Sequence, residues 1–368
     1  MGAKHMKARV SPFQLFILLS NFIFVGTLIS LPQKLVDYSY QNTWMVPLMV
    51  TPFVVLICWF GLSKITPALQ DYLINNKSTK TKKIFTFLFG IFLVFTFIKD
   101  LRAASDFVGM VLLPTTPILV VSILSVLTLT YIAYSGLEVV ARVTQIHFMI
   151  LVFTVMLLPF LLLNEIDVAN FQPVLGLGSI PSLLKSSFIF LSWIGEIVVL
   201  FFIVGSVQPI EKSRVAVMWS VCVSIFLLFL LLFLNIAVLG PEIVRYASYP
   251  NYQLIQEIHL TDFLDRLDLV IASVWLPTIY CKMALTLYCF FKMFNVMNRR
   301  ESNLFLLPGG ILLSLLSIQL FKNNHMHQEF SFYTWALLGL TLEFLIFAIF
   351  LLIKRKARKQ EKELHEAH

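Results

Sequence analysis

Residues 216–239 read AVMWSVCVSIFLLFLLLFLNIAVL, 24 positions without a charged side chain. At about 1.5 Å per residue, a helix of that length crosses the roughly 30 Å hydrocarbon core of a bilayer. The run is not isolated. Of the 368 residues, 58% are hydrophobic and 13% charged, and the mean hydropathy is +0.85. Soluble domains carry about 25% charged residues, and no soluble fold hides this much apolar surface. The sequence therefore predicts an all-α integral membrane protein. Ten spans are expected, at about 13–31, 44–62, 84–112, 117–134, 146–163, 182–204, 216–239, 269–291, 304–320 and 332–353.

The net charge of +8 is a topology signal. Alternating spans place the N-terminus, 64–83, 135–145, 205–216, 292–303 and the C-terminus on one side, and these segments hold 20 of the 28 Lys and Arg residues. Cytoplasmic loops retain Lys and Arg, so both ends are expected in the cytoplasm. The charges lie in short loops and a tail, which argues against a nucleic-acid partner. The basic stretch 354–362 reads as a stop-transfer flank, with contact to anionic lipid headgroups as the alternative. The expected organisation is a cytoplasmic N-terminus (1–10), a membrane domain (11–353, in halves 11–163 and 182–353) and a basic cytoplasmic tail (354–368). Residues 1–5 have no chemical logic and read as an artificial addition before Met6. No cleavable signal peptide is expected, because the first apolar run is too long and lacks a small-residue cleavage site. Cys58, Cys222, Cys281 and Cys289 fall inside spans without CxxC spacing, and they read as small buried apolar residues.

Five spans per half means that the second half enters the membrane from the opposite side. Inverted repeats of this kind mark secondary-transporter folds, whose leading helices are interrupted at the binding site. Both leading spans carry a mid-depth glycine: Gly26-Thr27 in the first, before Leu31-Pro32, and Gly195-Glu196 in the sixth, before Gly205 and Pro209. Broken helices are one reading, close helix packing the other. The third span is long enough to require tilt or protrusion, and Pro114 and Pro117 stop it. In 240–267, Tyr252, Ile255, Ile258 and Phe263 recur at helical spacing. That pattern suggests a short amphipathic helix over the outer face, either a lid or an interfacial element.

Glu196, Lys282 and Glu343 lie near mid-depth, where an ionisable group is costly unless paired or wetted. They read either as a structural ion pair or as a polar site for a zwitterion or a proton. Lys99, Asp100, Arg102 and Asp106 are assigned to the outer end of the third span. There Arg102 and Asp106 share a helix face and either line an outer vestibule or mark the helix's exit from lipid. His325 and His327 read as solvated loop residues, and His147 as a satisfied helix residue. Phosphate loops, HExxH and nucleophile elbows are missing. A membrane-embedded transferase is therefore disfavoured, and neither a catalytic group, a metal nor a cofactor is expected.

Several segments together resemble the spore germination permease family, the B subunits of nutrient germinant receptors within the amino acid–polyamine–organocation superfamily. They are Ser11-Pro12-Phe13-Gln14, Leu113-Pro114-Thr115-Thr116-Pro117, Gly136-Leu137-Glu138-Val139-Val140-Ala141-Arg142, Tyr249-Pro250 and Asp262-Phe263-Leu264-Asp265-Arg266-Leu267-Asp268. The resemblance implies a LeuT-like 5+5 fold with spans one and six broken at the substrate pocket. It also implies a sensor for a small nutrient, usually an L-amino acid, working beside A and C subunits in the inner membrane of a bacterial endospore. The alternative is a proton-coupled amino-acid permease. Together with the matched glycines and deep charges, it places the ligand among Asn21, Val25, Gly26, Thr27, Ser192, Trp193, Gly195, Glu196, Val199 and Thr278. In transporter relatives a buried Lys can stand in for a coupling cation, so Lys282 is either such a substitute or the partner of Glu196.

Overall fold

The computed structural model describes residues 10–26, 30–61, 80–176, 178–258, 267–298 and 305–366. Thr27, Phe263, Asp262, Leu264, Asp265 and Arg266 lie outside them, as do the basic residues Lys4, Lys7, Arg9, Lys64, Lys77, Arg299 and Arg300 of the inside segments.

Helix α1 (Pro12–Val25) begins where the sequence provides a capping box. The Gln14 amide donates to Ser11 Oγ at 3.1 Å and the Ser11 amide to Gln14 Oε1 at 3.0 Å, with Pro12 at the first turn. These bonds satisfy amides that a helix start leaves orphaned. After the break at Gly26 the chain resumes as α2 (Leu31–Ser39) and turns through 109° into α3 (Met45–Gly61). The first span thus does not close at Leu31-Pro32 as expected. Pro32 instead sits in the first turn of the second half-helix, where a missing N–H is harmless.

Helix α4 (Lys80–Phe107) runs on through a wider turn to Leu112, 33 residues in all. Pro117 then precedes α5 (Ile118–Tyr134), and Gly136, at φ +92°, makes the corner into α6 (Leu137–Leu161). The second half begins with α7 (Ser179–Ile194). It tightens into a 3₁₀ turn at Gly195–Val199 and continues as α8 (Leu200–Ile203). Then come α9 (Ser213–Leu234), α10 (Gly240–Tyr246), α11 (Pro250–Gln256), α12 (Leu267–Asn298), α13 (Leu306–Leu320), α14 (Asn324–Glu329) and α15 (Trp335–Glu366). The chain before α1 is tied to the exit of span six: the Val10 amide donates to the Ser206 carbonyl, and the Gln208 amide to the Val10 carbonyl, both at 3.0 Å.

Among the described residues, six helical runs are long and apolar enough to cross a bilayer, and the bent α2–α3 pair also passes by length and composition if taken together. The shorter apolar helices α1, α5 and α13 occupy three further expected positions. Phe153, Phe160, Tyr131 and Phe344 are each 70% or more exposed. A belt of bare aromatic and aliphatic side chains on this scale is at home only in lipid. The chain is a multi-pass membrane protein.

Helix packing repeats under the exchange of the two halves. The α1–α9 contact (first span on seventh) has its counterpart in α3–α7 (second on sixth). Likewise α1–α6 (first on fifth) matches α7–α15 (sixth on tenth), and α4–α15 (third on tenth) matches α12–α6 (eighth on fifth). The α4–α12 and α5–α13 contacts map onto themselves. Such paired contacts are what a two-fold relation between five-helix halves produces.

One expectation is corrected here. Cys58, Cys281 and Cys289 are buried, but Cys222 is exposed, since its face of α9 points to lipid. The segment after Leu239 forms two short helices, and the second, α11, holds Tyr252 and Ile255 of the expected amphipathic stretch, while Phe263 lies outside the described residues. The apolar face of α11 is spent on the protein: Leu254, Ile255 and Ile258 are buried, and α11 packs on α12 and α2.

Candidate functional site

The deep charges meet at the bundle centre. Glu196 projects from the 3₁₀ turn that interrupts span six, and two ammonium groups clamp it. Lys99 Nζ donates to its Oε1 at 2.6 Å and Lys282 Nζ to its Oε2 at 2.7 Å. Asp100 closes the set, with Lys282 Nζ at 2.8 Å and Lys99 Nζ at 3.7 Å. All four side chains are at most 3% exposed. Lys99 also lies over the Trp193 ring, 3.6 Å from its centroid. Two cations and two anions at these distances compensate one another, which is how a buried ion cluster survives desolvation.

The expected pairing of Glu196 with Lys282 is therefore present, but half of the cluster escaped the sequence reading. Lys99 and Asp100 are not at the outer end of span three. They sit about midway along it, buried against spans six and eight. Depth was the signal that could have found them, because residue 99 is near the centre of the expected span 84–112. His327 is a second correction. It is 3% exposed rather than solvated, and its Nε2 donates to the Lys99 carbonyl at 3.0 Å. It occupies α14, a short helix folded back against α4.

Glu343 does not join the cluster. It is 4% exposed on α15, and among the described residues neither carboxyl oxygen has a hydrogen-bond partner. Its carboxyl group presses on Gly195: a Cβ built there would overlap Glu343 Oε2 and Cδ. The first break is used in the same way, since a Cβ on Gly26 would overlap Lys282 Nζ. The two glycines make room for the protein's own ammonium and carboxylate. This is the close approach that only a missing side chain allows.

The remaining site residues fall around these contacts. Asn21 Nδ2 donates to the Thr278 carbonyl at 3.0 Å, linking spans one and eight. Thr278 Oγ1 donates to the Trp275 carbonyl of its own helix, and Ser192 Oγ to Ile189 at 2.8 Å. Val25 and Val199 are fully buried. Among the described residues, Asn21 Oδ1, Trp193 Nε1 and Trp275 Nε1 are buried without a partner. Among the described residues no cluster of His, Cys, Asp and Glu is arranged to hold a metal.

Arg102 and Asp106 do pair, at 2.9 Å, but each is about 5% exposed, so they do not line an open vestibule. The Arg102 guanidinium also donates to the Phe321 carbonyl, tying α4 to the end of α13. Above them Phe107 makes edge contacts with Trp275 (5.0 Å), Tyr249 (5.3 Å) and Tyr252 (6.0 Å). These rings join α4, α11 and α12.

Similar folds carry this architecture. Mhp1, a nucleobase-cation-symport-1 family transporter solved closed with bromovinylhydantoin bound, superposes with TM-score 0.65 at 14% identity, over 95% of this chain and 80% of its own. A Na⁺-coupled sialic acid symporter in a substrate-bound outward-open state gives 0.60 at 14% identity, over 93% and 90%. At these identities the likeness concerns the fold, which is that of the LeuT-like transporters. In sequence, the chain is 26% identical over 340 residues to the putative spore germination protein YfkT of Bacillus subtilis (strain 168), covering 91% of this chain and 93% of that one. It is 24% identical over 373 residues to spore germination protein KB of the same organism, covering 98% and 99%. The spore permease family profile, described as spore germination protein, matches residues 9–326, and with that match over most of its length the chain belongs to the spore germination permease family.

Proposed function

We propose that this protein is the nutrient-sensing subunit of a spore germinant receptor, crossing the inner membrane of the endospore ten times beside A and C subunits. Its ligand is a small zwitterion, most simply an L-amino acid, bound between the breaks of spans one and six. The observation that carries the reading is the way both breaks are filled. An ammonium (Lys282) rests against Gly26 and a carboxyl group (Glu343) against Gly195. The pocket is lined for one charge of each sign. An amino acid entering it would meet Glu343 for its ammonium, and for its carboxylate Lys282, which it would share with Glu196 and Asp100. Charge-assisted hydrogen bonds of this kind are about twice as strong as neutral ones.

A proton-coupled amino-acid permease is the second reading, favoured by the uncompensated carboxyl group of Glu343. The two are separated by measuring, on one preparation, uptake of labelled amino acids into reconstituted vesicles and binding of the same amino acids. Saturable binding without uptake supports the sensor. Uptake driven by an inward proton gradient supports the permease. Lack of binding by any amino acid refutes both.

A further inference from the structure

The charges of the central cluster are complete without Glu343. Lys99 and Lys282 supply two positive charges, and Glu196 and Asp100 two negative ones, all within 3.7 Å of an opposite partner. A third carboxylate beside them has no cation left to take. Among the described residues its surroundings offer none: Glu196 faces it from the 3₁₀ turn, while Lys99 on α4 is committed to Glu196 and to the Trp193 ring. Asp100 and Lys282 neutralise each other beyond, and the His327 ring is committed to the Lys99 carbonyl. An ionised Glu343, buried with both oxygens unpartnered, would cost several kcal/mol. A proton removes that cost and needs no cavity.

We propose that Glu343 is a proton-binding site, holding a proton in this closed arrangement and exchanging it for the ammonium group of the incoming nutrient. This rests on the amino-acid reading of the pocket. In the exchange the Glu343 O–H bond breaks and its proton passes to water admitted with the ligand. The nutrient keeps its own ammonium protons and becomes the carboxylate's counter-ion. Gly195 lets this happen without moving the backbone, because the carboxyl group lies directly on its Cα face. One proton leaves for each nutrient bound. By linkage, apparent affinity for the nutrient rises by up to tenfold per pH unit over the range where Glu343 stays protonated in the free protein.

Two measurements test this on the full-length protein in lipid. Infrared spectroscopy of the ligand-free protein at neutral pH should show a protonated-carboxyl C=O band that is missing in Glu343→Gln. This readout needs no nutrient, so it stands even if the amino-acid reading fails. Absence of the band in the native protein overturns the proposal. Binding of L-alanine and a panel of other L-amino acids is then followed from pH 5 to 8. The native protein should gain affinity with pH, and Glu343→Gln, a neutral stand-in for the protonated acid, should lose that slope while reaching the membrane normally. Equal slopes in both proteins overturn the exchange. So does failure of Glu343→Gln to accumulate, since a neutral amide should be tolerated where a neutral acid sits.

Discussion

Replacing Lys282 by Met keeps the length of the side chain and removes its charge. What remains is Lys99 between Glu196 and Asp100, one cation for two buried anions. Breaking a buried pair by removing one partner costs about 3–5 kcal/mol, because the survivor is left without compensation. Glu196→Gln produces the opposite imbalance, two ammonium groups sharing Asp100, at a similar cost. The double variant is balanced again, with Lys99 and Asp100 remaining 3.7 Å apart. If the singles cost about 4 kcal/mol each, the double should cost clearly less than their sum, with a coupling of at least about 2 kcal/mol. Against a total stability of about 5–15 kcal/mol, each single should visibly deplete folded protein and the double should restore part of it. The assay is unfolding of the purified protein in detergent or bicelles, with membrane abundance measured in parallel. Additivity within about 0.5 kcal/mol would show that the four charges do not act as one unit.

Gly26→Ala places a methyl group against Lys282 Nζ, the movable end of a long side chain. It should weaken nutrient binding more than abundance, and Gly26→Leu should abolish binding in protein that still reaches the membrane. Normal nutrient affinity in Gly26→Leu would place the pocket elsewhere. His327→Ala removes the ring that donates a second hydrogen bond to the Lys99 carbonyl and should destabilise the protein by about 0.5–1.5 kcal/mol, the net worth of a buried hydrogen bond. Unfolding measurements showing no loss would contradict the packing of α14 on α4. For topology, a cysteine in place of Tyr246, which is 75% exposed on α10, should react with a membrane-impermeant thiol reagent in intact cells, and one in place of Ser78 should not. The reverse labelling pattern would invert the orientation inferred from the Lys and Arg distribution.

Apolar run length and proline placement made the helices legible, because in lipid a helix must satisfy its own backbone and the sequence must say so in bulk. The two glycine breaks were legible for the same reason: Gly26 and Gly195 stand at matching depths of the leading spans. Partnerships were harder. Glu196 and Lys282 are 86 positions apart, and nothing along the chain states that Lys99 would reach the same carboxylate from a third helix. Lys99 and Asp100 were misplaced because four charged residues within eight positions look like a helix leaving the membrane, whereas two of them neutralise each other's partners inside it. His327 looked solvated because it follows Lys322, Asn323 and Asn324. The fold-back of α14 is a tertiary contact with no local signature. What the glycines accommodate could not be read either, since neither Lys282 nor Glu343 is near them in sequence.

The two hydrogen bonds that Val10 makes with Ser206 and Gln208 act as a clasp on one end of the leading helices. They bind the segment before span one to the segment after span six, at what in the orientation inferred from the Lys and Arg distribution would be the inner side. Parting them exchanges two backbone bonds for bonds to water, at about 0.5–1.5 kcal/mol each, which biases the inner side towards shut by roughly 5- to 150-fold. A carrier has to undo that fastening on every cycle. A receptor that only registers occupancy can leave it closed and let the message travel outward through the packing of span six on its neighbours.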